Sequence, residues 1–535
     1  MLPPPSLRGA FRTDERARAA YSEGAGIYRI LPSAVALPSD RDDLLTLVRW
    51  AAEQRTPLIP RGAGSAMGGG NVGDGVVVDL TRFPRQLEIS PELKTASTSA
   101  SLTAAELNAA ADRYGLRLPP DPSSGRWATL GGMVSTNAAG ARSVRYGSVR
   151  RWIEAVQLVT ADAEIVELRR MKPASGSQAL ARFESDARPA IEQSSDLIAR
   201  GFPRTRKNSS GYALDAFLGS GDSLDLVVGA EGTLGFVTEI EWRLDRIPPC
   251  RAGLRVGLRS LDDLVAAVAM LLAQEPSAVE LLDRSFLDLV RGADLDAALG
   301  GAEAILLVEL ERSDQDALRR AVEVAGEAVA PWATQVDTAL SATAAERLWA
   351  LRHAASPILA RLPEERRSLQ VIEDACLPTE RMGEYIRSVR RISGAHGLPV
   401  VIFGHAGDGH VHVNLLPDVT RPGWENAVRT LLEEVTEAVL RLGGTLSGEH
   451  GDGRLRAGLL QRAYGNEIMS LFTRIKQAFD PLGILNPGVI LPNGETPISR
   501  LKVGPQAAAI PSDIASELRR IEREGGYAKS RMELV

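Results

Sequence analysis

The chain has 535 residues, with 62 basic and 68 acidic side chains, a net charge of −6 and 44% apolar residues. This composition is typical of a globular protein, and the length predicts about two to four domains. The mild acidity argues against a nucleic-acid binder, which normally carries a basic stripe. The sequence contains no run of about 18 apolar residues, so no transmembrane helix is predicted. The N-terminus lacks the apolar segment of a signal peptide.

In chain order, residues 1–24 predict a proline-rich extension with a short charged helix. Residues 25–248 alternate short β-type runs with helical runs, beginning with a strand at 34–37 and a helix at 41–54. Two prolines within 247–253 interrupt this pattern and mark a boundary. These features predict an α+β fold, with the first domain over residues 25–248.

Beyond the boundary, a second α+β domain with an antiparallel sheet is predicted over residues 249–460, because β-type runs and amphipathic helices recur there. Residues 461–492 predict a C-terminal helix followed by a short segment. A loosely attached tail, 493–535, contains an amphipathic helix after residue 511. We expect this helix to dock on the core rather than to offer a partner site.

Cysteines and histidines are few and unevenly placed. Cys250 and Cys376 are the only cysteines, which excludes an iron–sulfur cluster and favours a reducing cytoplasm as the compartment. Peripheral attachment to the inner face of the membrane stays open. All six histidines follow residue 352, so any histidine chemistry must come from the C-terminal part of the chain.

Three glycine-rich segments interrupt the first domain, at 60–70, 119–147 and 229–238. Glycine lets backbone N–H groups approach an anion closely. The first segment is neither a Rossmann fingerprint nor a P-loop, and a glycine-rich turn taken alone is usually only a turn. Three such segments of small polar residues together indicate the walls of a site for a large polar ligand.

These segments, with the motif at 208–212, resemble the FAD-binding domain of the vanillyl-alcohol-oxidase/para-cresol-methylhydroxylase superfamily. The resemblance implies a two-part FAD-binding domain. Some members attach FAD covalently through a histidine or cysteine of this domain, but this chain has neither before residue 250, which predicts dissociable, non-covalent FAD. The residues implied to contact FAD are Arg61, Gly62, Ala63, Gly64, Ser65, Ala66, Pro120, Asp121, Ser123, Gly131, Gly132, Thr136, Asn137, Gly140, Arg142, Tyr146, Gly147, Glu231, Gly232, Thr233, Val237, Thr238 and Asn486.

Polar residues cluster in two stretches of the second domain. Strand alternation puts His410, His412 and Asn414 on one face, and a glycine-flanked stretch at 443–453 supplies Glu449 and His450. Two imidazoles and a carboxylate form a familiar set for a divalent transition metal. For any single histidine a structural role is the commoner interpretation, but four polar groups in two such stretches favour a site.

Both stretches resemble signatures of the FAD-linked D-2-hydroxy-acid dehydrogenases, a group that includes D-lactate, D-2-hydroxyglutarate and glycolate dehydrogenases. The resemblance implies a divalent metal, often zinc, on His405, His412 and Glu449. It implies His450 as the catalytic base, with Arg352 and Asn414 contacting the substrate. His410 stands outside that set, and Ile372 replaces a lysine with which some members hold a second acidic group of the substrate.

The implied reaction oxidises a small D-2-hydroxy acid to the 2-oxo acid by hydride transfer to flavin N5. Electrons would pass to a separate acceptor: a quinone, a cytochrome, an electron-transfer flavoprotein or an iron–sulfur subunit. The sequence leaves open whether the chain forms a homodimer. The alternatives are a flavoprotein oxidase of another alcohol that uses oxygen, an FAD-binding non-catalytic subunit of a glycolate-oxidase-like complex, and a flavin-dependent synthase of the ether-lipid type.

Overall fold

The computed structural model describes residues 4–174, 176–290, 301–353 and 355–535. Within these ranges, 18 strands form sheets of four, five and seven strands and a two-stranded ribbon. The strands are β1 (Ala10–Arg12), β2 (Ala34–Leu37), β3 (Leu58–Arg61), β4 (Val76–Asp79), β5 (Leu87–Ser90), β6 (Thr95–Ser99), β7 (Leu116–Arg117), β8 (Ile153–Val159), β9 (Ile165–Arg169), β10 (Phe236–Arg243), β11 (Asp245–Arg246), β12 (Cys250–Leu258), β13 (Ala278–Asp283), β14 (Ala304–Arg312), β15 (Ala333–Ala339), β16 (Ala375–Cys376), β17 (Val400–His405) and β18 (His410–Leu415).

Groups of strands alternate with helices over the described residues, which agrees with the α+β class predicted from the sequence. The α-helices span Glu15–Ala20, Arg41–Gln54, Ala104–Ala111, Leu130–Thr136, Ser143–Tyr146, Gln178–Arg182, Arg188–Gln193, Ser195–Gly201, Leu214–Ser220, Leu224–Val227, Leu261–Leu272, Arg284–Leu289, Gln315–Val329, Ala342–His353, Ala355–Ala360, Met382–Ala395, Trp424–Arg441, Gly453–Ala457, Leu460–Phe479 and Ser512–Glu524. None of the helices in the described ranges combines the length and apolar character that crossing a bilayer would need.

The first sheet carries the first glycine-rich loop at its edge. Its strand order is β1-β2-β4-β3, with β2, β4 and β3 parallel. The helix Arg41–Gln54 connects β2 to β3, and its N-cap Asp40 accepts a hydrogen bond from the backbone N–H of Asp43. Its apolar residues pack beside Val76 and Val78 of β4. This packing holds the end of β3, from which the glycine-rich loop departs.

The second sheet forms the other wall of the FAD-like half. It is antiparallel, in the order β5-β6-β10-β8-β9. The short helix Leu130–Thr136 packs beside β10, and it begins at Thr129, whose hydroxyl accepts a hydrogen bond from Gly132 N. The second and third glycine-rich segments therefore meet against this sheet.

The third sheet spans residues 250–415 and runs in the order β15-β12-β14-β13-β17-β18-β16, with antiparallel pairs throughout. Its strand β14 is buried from Ala304 to Glu311. The helix Leu261–Leu272 is amphipathic and starts at Ser260, which caps Asp263 N. This sheet places the polar ends of β13, β17 and β18 side by side, where the candidate metal cluster lies.

The C-terminal helix Ser512–Glu524 docks on the first sheet, as the sequence predicts. Ile514, Leu518 and Ile521 are buried and form one apolar cluster with residues that include Tyr21 and Val35. On its polar side, Arg519 pairs with Glu364 of the other half of the molecule. The tail is therefore part of the packed structure.

Candidate active site

A cleft with about 1160 Å³ of empty space, including its open mouth, lies among the three glycine-rich segments. Its walls contain 13 of the residues predicted to contact FAD, together with Met67, Asn71, Thr129 and His450 among others. The predicted contact residues that line it are Arg61, Gly62, Ala63, Gly64, Ser65, Ala66, Ser123, Gly131, Gly132, Thr136, Glu231, Gly232 and Val237.

At two glycines of the cleft wall, neighbouring side chains leave no room for a Cβ. A Cβ on Gly62 would lie 2.2 Å from the Thr129 hydroxyl oxygen, and one on Gly131 would lie 2.7 Å from the Ala100 Cβ. Gly64 has a φ of +80°, a conformation that glycine adopts readily. The glycine-rich segments therefore pack against their neighbours at distances that only glycine allows.

The cleft also contains a polar atom that lacks a partner. The buried Oδ1 of Asn71, on the cleft wall, accepts no hydrogen bond from the described residues. A glycine-lined wall suits phosphate oxygens, and an orphaned acceptor suits a hydroxyl or amino donor of a ligand. FAD offers both kinds of group, so the residues present fit this cofactor.

Arg61 lies on the wall through its backbone, but its side chain turns into the protein. The guanidinium donates to the carbonyl oxygens of Glu23, Asn71 and Tyr21 at 2.8, 3.3 and 3.4 Å. Burial lowers the pKa of Arg61 to about 10. The side chain thus ties the glycine-rich loop to the segment at 21–23.

The predicted FAD contacts that lie off the cleft wall have other partners. Arg142 donates to Glu309 of β14 at 2.7 and 2.9 Å and pairs with Asp121. Tyr146 donates to Glu311. These contacts join the FAD-like half to the third sheet. Among the described residues, Pro120, Asp121, Asn137, Gly140, Arg142, Tyr146, Gly147, Thr233, Thr238 and Asn486 do not line the cleft.

Asn486 does not line the cleft, but it binds two residues that do. Its side-chain amide donates to the carbonyl oxygens of Gly70 and Glu231, both at 2.8 Å. The segment that follows the helix Leu460–Phe479 thereby bridges the first and third glycine-rich segments. Its role as a flavin contact stays a prediction.

A cluster of histidines and carboxylates lies beside the cleft. His405 Nε2, His412 Nε2 and Glu449 Oε1 form a triangle with sides of 3.2, 3.3 and 3.4 Å. Ligands about 2.0–2.2 Å from a tetrahedral metal lie about 3.3–3.6 Å apart. The triangle therefore has the dimensions of three coordinating atoms around one ion.

The outer nitrogens of both imidazoles are already engaged. His405 Nδ1 donates to Glu280 at 2.6 Å, and His412 Nδ1 donates to the Glu373 carbonyl oxygen at 2.8 Å. Such partners orient ligand histidines and turn the other nitrogen toward a metal. Three acceptor atoms then face one another, an arrangement that needs a cation at its centre. A proton on His405, whose pKa the Glu280 carboxylate raises against the effect of burial, or a divalent metal meets that need.

Glu280 of β13 joins the cluster to the predicted substrate arginine. Its second oxygen accepts from Arg352 Nε at 2.7 Å, and its side chain is fully buried. Burial alone would raise the pKa of Glu280, but His405 and Arg352 outweigh it and lower the pKa to about 2. The Arg352 guanidinium also lies 4.7 Å from the centre of the Phe403 ring. Within the described residues, these contacts engage Nε and one face of the guanidinium, and its Nη atoms form no hydrogen bond there.

His450 connects the cluster with the cleft. It lines the cleft wall, and its Nε2 lies 3.8 Å from Glu449 Oε1. Its Nδ1 donates to Glu373 at 2.6 Å, and Arg456 holds the other Glu373 oxygen at 2.6 Å. Burial alone would lower the pKa of His450, but Asp374 and Glu373 raise it to about 10. A divalent cation beside Glu449 would lower this pKa by repulsion.

His410 lies deeper than the other site histidines. Its Nε2 contacts Asp374 Oδ1 at 2.9 Å, and its Nδ1 lies 3.3 Å from Lys207 Nζ. Burial, together with His412 and Lys207, lowers the pKa of His410 to about 3. Asn414 is buried on the same strand and accepts from the Ser368 hydroxyl at 2.9 Å.

Several residues of the site were missed by the sequence analysis: Lys207, Glu280, Glu373, Asp374 and Asp408, whose Oδ2 lies 3.7 Å from Lys207 Nζ. A glutamate within the apolar run of β13 was a usable signal, because buried strands seldom carry an unpaired charge. Lys207 stands directly before the motif at 208–212. Glu373 and Asp374 give the same signal because they interrupt the apolar run 371–377, and Asp408 lies in the glycine-rich stretch between His405 and His410.

Comparison with known protein families identifies the chain. Residues 32–169 match the model of an FAD binding domain, and residues 247–490 match the model of the C-terminal domain of FAD linked oxidases. The chain therefore contains an FAD binding domain followed by the C-terminal domain of FAD linked oxidases. It is a flavoprotein oxidoreductase, and FAD is its cofactor.

Three curated relatives show similarity along most of the chain. It is 27% identical to the glycolate oxidase subunit GlcD of Bacillus subtilis, over 89% of this chain and 93% of the relative. It is 29% identical to a D-lactate dehydrogenase of Archaeoglobus fulgidus, over 85% and 91%. It is 28% identical to the D-2-hydroxyglutarate dehydrogenase of Escherichia coli, over 89% of this chain but only 50% of that longer protein.

Solved structures bear out the fold. A 4-ethylphenol oxidase from Gulosibacter chungangensis superposes with a TM-score of 0.66 at 18% identity, covering 90% of this chain and 94% of that one. p-Cresol methylhydroxylase superposes with a TM-score of 0.65 at 14% identity, covering 91% and 94%. The chain therefore has the vanillyl-alcohol-oxidase type of fold expected from the sequence.

Proposed function

We propose that this flavoprotein oxidises a small D-2-hydroxy acid to the 2-oxo acid and passes the electrons to a separate acceptor. The observation that carries the proposal is the triangle of His405, His412 and Glu449, which lies next to His450 at the wall of the cofactor cleft. The names of the relatives support the same substrate class. Domain limits of 25–248 and 249–460, and a cytoplasmic setting, belong to this proposal.

Two bound groups complete the site. FAD supplies the hydride acceptor, and a divalent metal, zinc in the first instance, supplies a Lewis acid that polarises a hydroxyl group. The main chain of the glycine-rich segments would hold FAD. His405, His412 and Glu449 would hold the metal, since their donor set of two imidazoles and one carboxylate is that of catalytic zinc sites with an open position.

The side chains around the cluster divide the remaining tasks. Arg352 binds the substrate carboxylate through its Nη edge, because Glu280 already holds its Nε. Asn414 lies on the strand of His412 and contacts the substrate. His450 takes the hydroxyl proton at Nε2, while its Nδ1–H donates to Glu373 and keeps the ring in place. Orientation by these groups brings the substrate Cα toward the flavin.

The test is the anaerobic reduction of the flavin in a single turnover, with D- and L-2-hydroxy acids as substrates. We expect bleaching with a D-acid. His450→Asn should slow it severely while FAD remains bound, and His396→Asn, at a half-buried histidine paired with Glu434 away from the cleft, should leave it unchanged. Equal rates in the His450 variant and the wild type would overturn the assignment of the base.

The same protein sample can be used to test the preferred substrate, the need for a metal and the electron acceptor. With Ile372 in place of a lysine, a monocarboxylic acid such as D-lactate or glycolate should reduce the flavin faster than 2-hydroxyglutarate. Chelation that removes the metal should abolish the reduction, and activity that survives full metal removal would refute the metal's role. Stoichiometric peroxide during turnover in air would favour the alternative of an oxidase.

A further inference from the structure

Lys207 is a buried cation that the FAD-binding half inserts into the histidine cluster of the other half. Its side chain is 4% exposed. Its Nζ donates to Glu449 Oε2 at 2.8 Å and to the Gly140 carbonyl oxygen at 3.4 Å, and it contacts His410 Nδ1 at 3.3 Å. The reaction described above does not use this lysine.

The contact with Lys207 determines what His410 can do. An ammonium group only donates hydrogen bonds, so His410 Nδ1 is the acceptor and the Nε2–H donates to Asp374. An imidazole whose outer N–H is held by a carboxylate is prepared to bind a metal with its other nitrogen. His410 therefore has the orientation of a ligand, but Lys207 occupies its lone pair.

His410 is also close enough to coordinate. His405, His410, His412 and Glu449 each offer one ligand atom, and these atoms lie within 4.8 Å of one another. His410 Nδ1 is 3.9 Å from Glu449 Oε2, the oxygen that Lys207 holds. Protein sites with four ligands are typically closed and structural, whereas catalytic sites have three ligands and an open position.

We propose that Lys207 keeps His410 out of the metal's coordination sphere and holds Glu449 to binding through Oε1 alone, which keeps one coordination position open for substrate. The inference rests on the proposed metal site. Lys207 is thus a positioning residue, supplied by the half of the molecule that binds FAD. A metal site with the same histidines but without this lysine would be closed.

The experiment replaces the bound metal with cobalt(II), whose visible spectrum reports coordination number, and adds D-lactate under anaerobic conditions to protein whose bound FAD has already been reduced, so that flavin bleaching does not contribute to the spectrum. Wild type should show a spectral change on adding D-lactate. Lys207→Met should retain one cobalt per chain but lose this spectral change, because His410 closes the site. The double variant Lys207→Met/His410→Gln should regain it. Lys502→Met, at a buried lysine paired with Glu522 elsewhere, should behave like wild type.

The outcomes separate this inference from the proposed function. If wild type binds no cobalt, the proposed metal role fails. If wild type responds and Lys207→Met responds equally, or binds no cobalt while FAD content and melting temperature are normal, the role given to Lys207 is wrong. Should Lys207→Met not fold, His410→Gln alone decides. It should leave the cobalt spectrum unchanged, and an altered spectrum would show that His410 is a ligand in the wild type.

Discussion

Glu231 offers a quantitative test of how the cleft depends on pH. This glutamate lies on the cleft wall, is 6% exposed, and accepts hydrogen bonds from Asp452 N at 2.7 Å and Gly453 N at 3.0 Å. Burial and the nearby Asp452 carboxylate raise the pKa of Glu231 from 4.5 to about 8. The folded protein therefore holds this carboxyl in its neutral form at pH 7.

The sign and size of the effect follow from the two pKa values. The pKa of Glu231 is higher in the folded protein than in the unfolded chain. Its contribution to the free energy of unfolding is therefore fully present below pH 4.5 and is lost as the pH rises toward 8. Between these two pKa values, unfolding releases one proton from Glu231, which lowers the free energy of unfolding by about 1.4 kcal/mol for each pH unit. Over the whole window the loss of stability is about 5 kcal/mol. Glu231→Gln retains an acceptor oxygen and removes the titration.

The assay is urea unfolding of FAD-free protein between pH 5 and pH 8. The stability of the Glu231→Gln variant relative to wild type should increase by about 1.4 kcal/mol per pH unit across this range and become constant above pH 8. Glu92→Gln, at an exposed glutamate, is the matched control for the loss of one acidic side chain. A difference between Glu231→Gln and wild type that does not change with pH would refute the reasoning.

Three further outcomes are expected. Glu280→Gln should weaken metal binding about 10–100-fold in a chelator competition, because His405 loses its carboxylate partner; unchanged affinity would contradict that role. After acid precipitation, the flavin should stay in the supernatant, and flavin fluorescence in the pellet would show a covalent bond instead. Leu518→Ala should lower the free energy of unfolding by about 2–4 kcal/mol, because this tail residue is 4% exposed in an apolar cluster. Val324→Ala, at a valine that is 47% exposed, is the control, and an equal effect of both would mean that the tail does not stabilise the fold.

Much of the site could be predicted because its signals are local. Glycines recur where the backbone must approach a ligand closely, and this pattern marked the walls of the cleft. Strand alternation placed His410 and His412 on one face of β18, where their ring centres lie 4.4 Å apart. Side chains two residues apart share a face of any strand, whatever surrounds it.

The partners of these residues could not be predicted in the same way. Arg142 and Tyr146 belong to a glycine-rich segment that resembles an FAD site, yet their side chains bind Glu309 and Glu311 of a sheet more than 160 residues away. A polar residue next to a cofactor loop has the same sequence pattern whether it faces the cofactor or another domain. Only the docking of the two halves decides between these partners.

The sequence by itself predicted the α+β class, glycine-rich walls for a large polar ligand and a polar cluster around His410 and His412, because periodicity and composition act over a few residues. Tertiary structure alone decided which atoms meet at the cluster. Lys207, Glu280 and Glu373 come from separate parts of the chain and converge on His405, His410, Glu449 and His450. Strand register and domain docking bring them together, and the hydrogen bonds that they form settle which nitrogen of each imidazole is left to bind a metal or a proton.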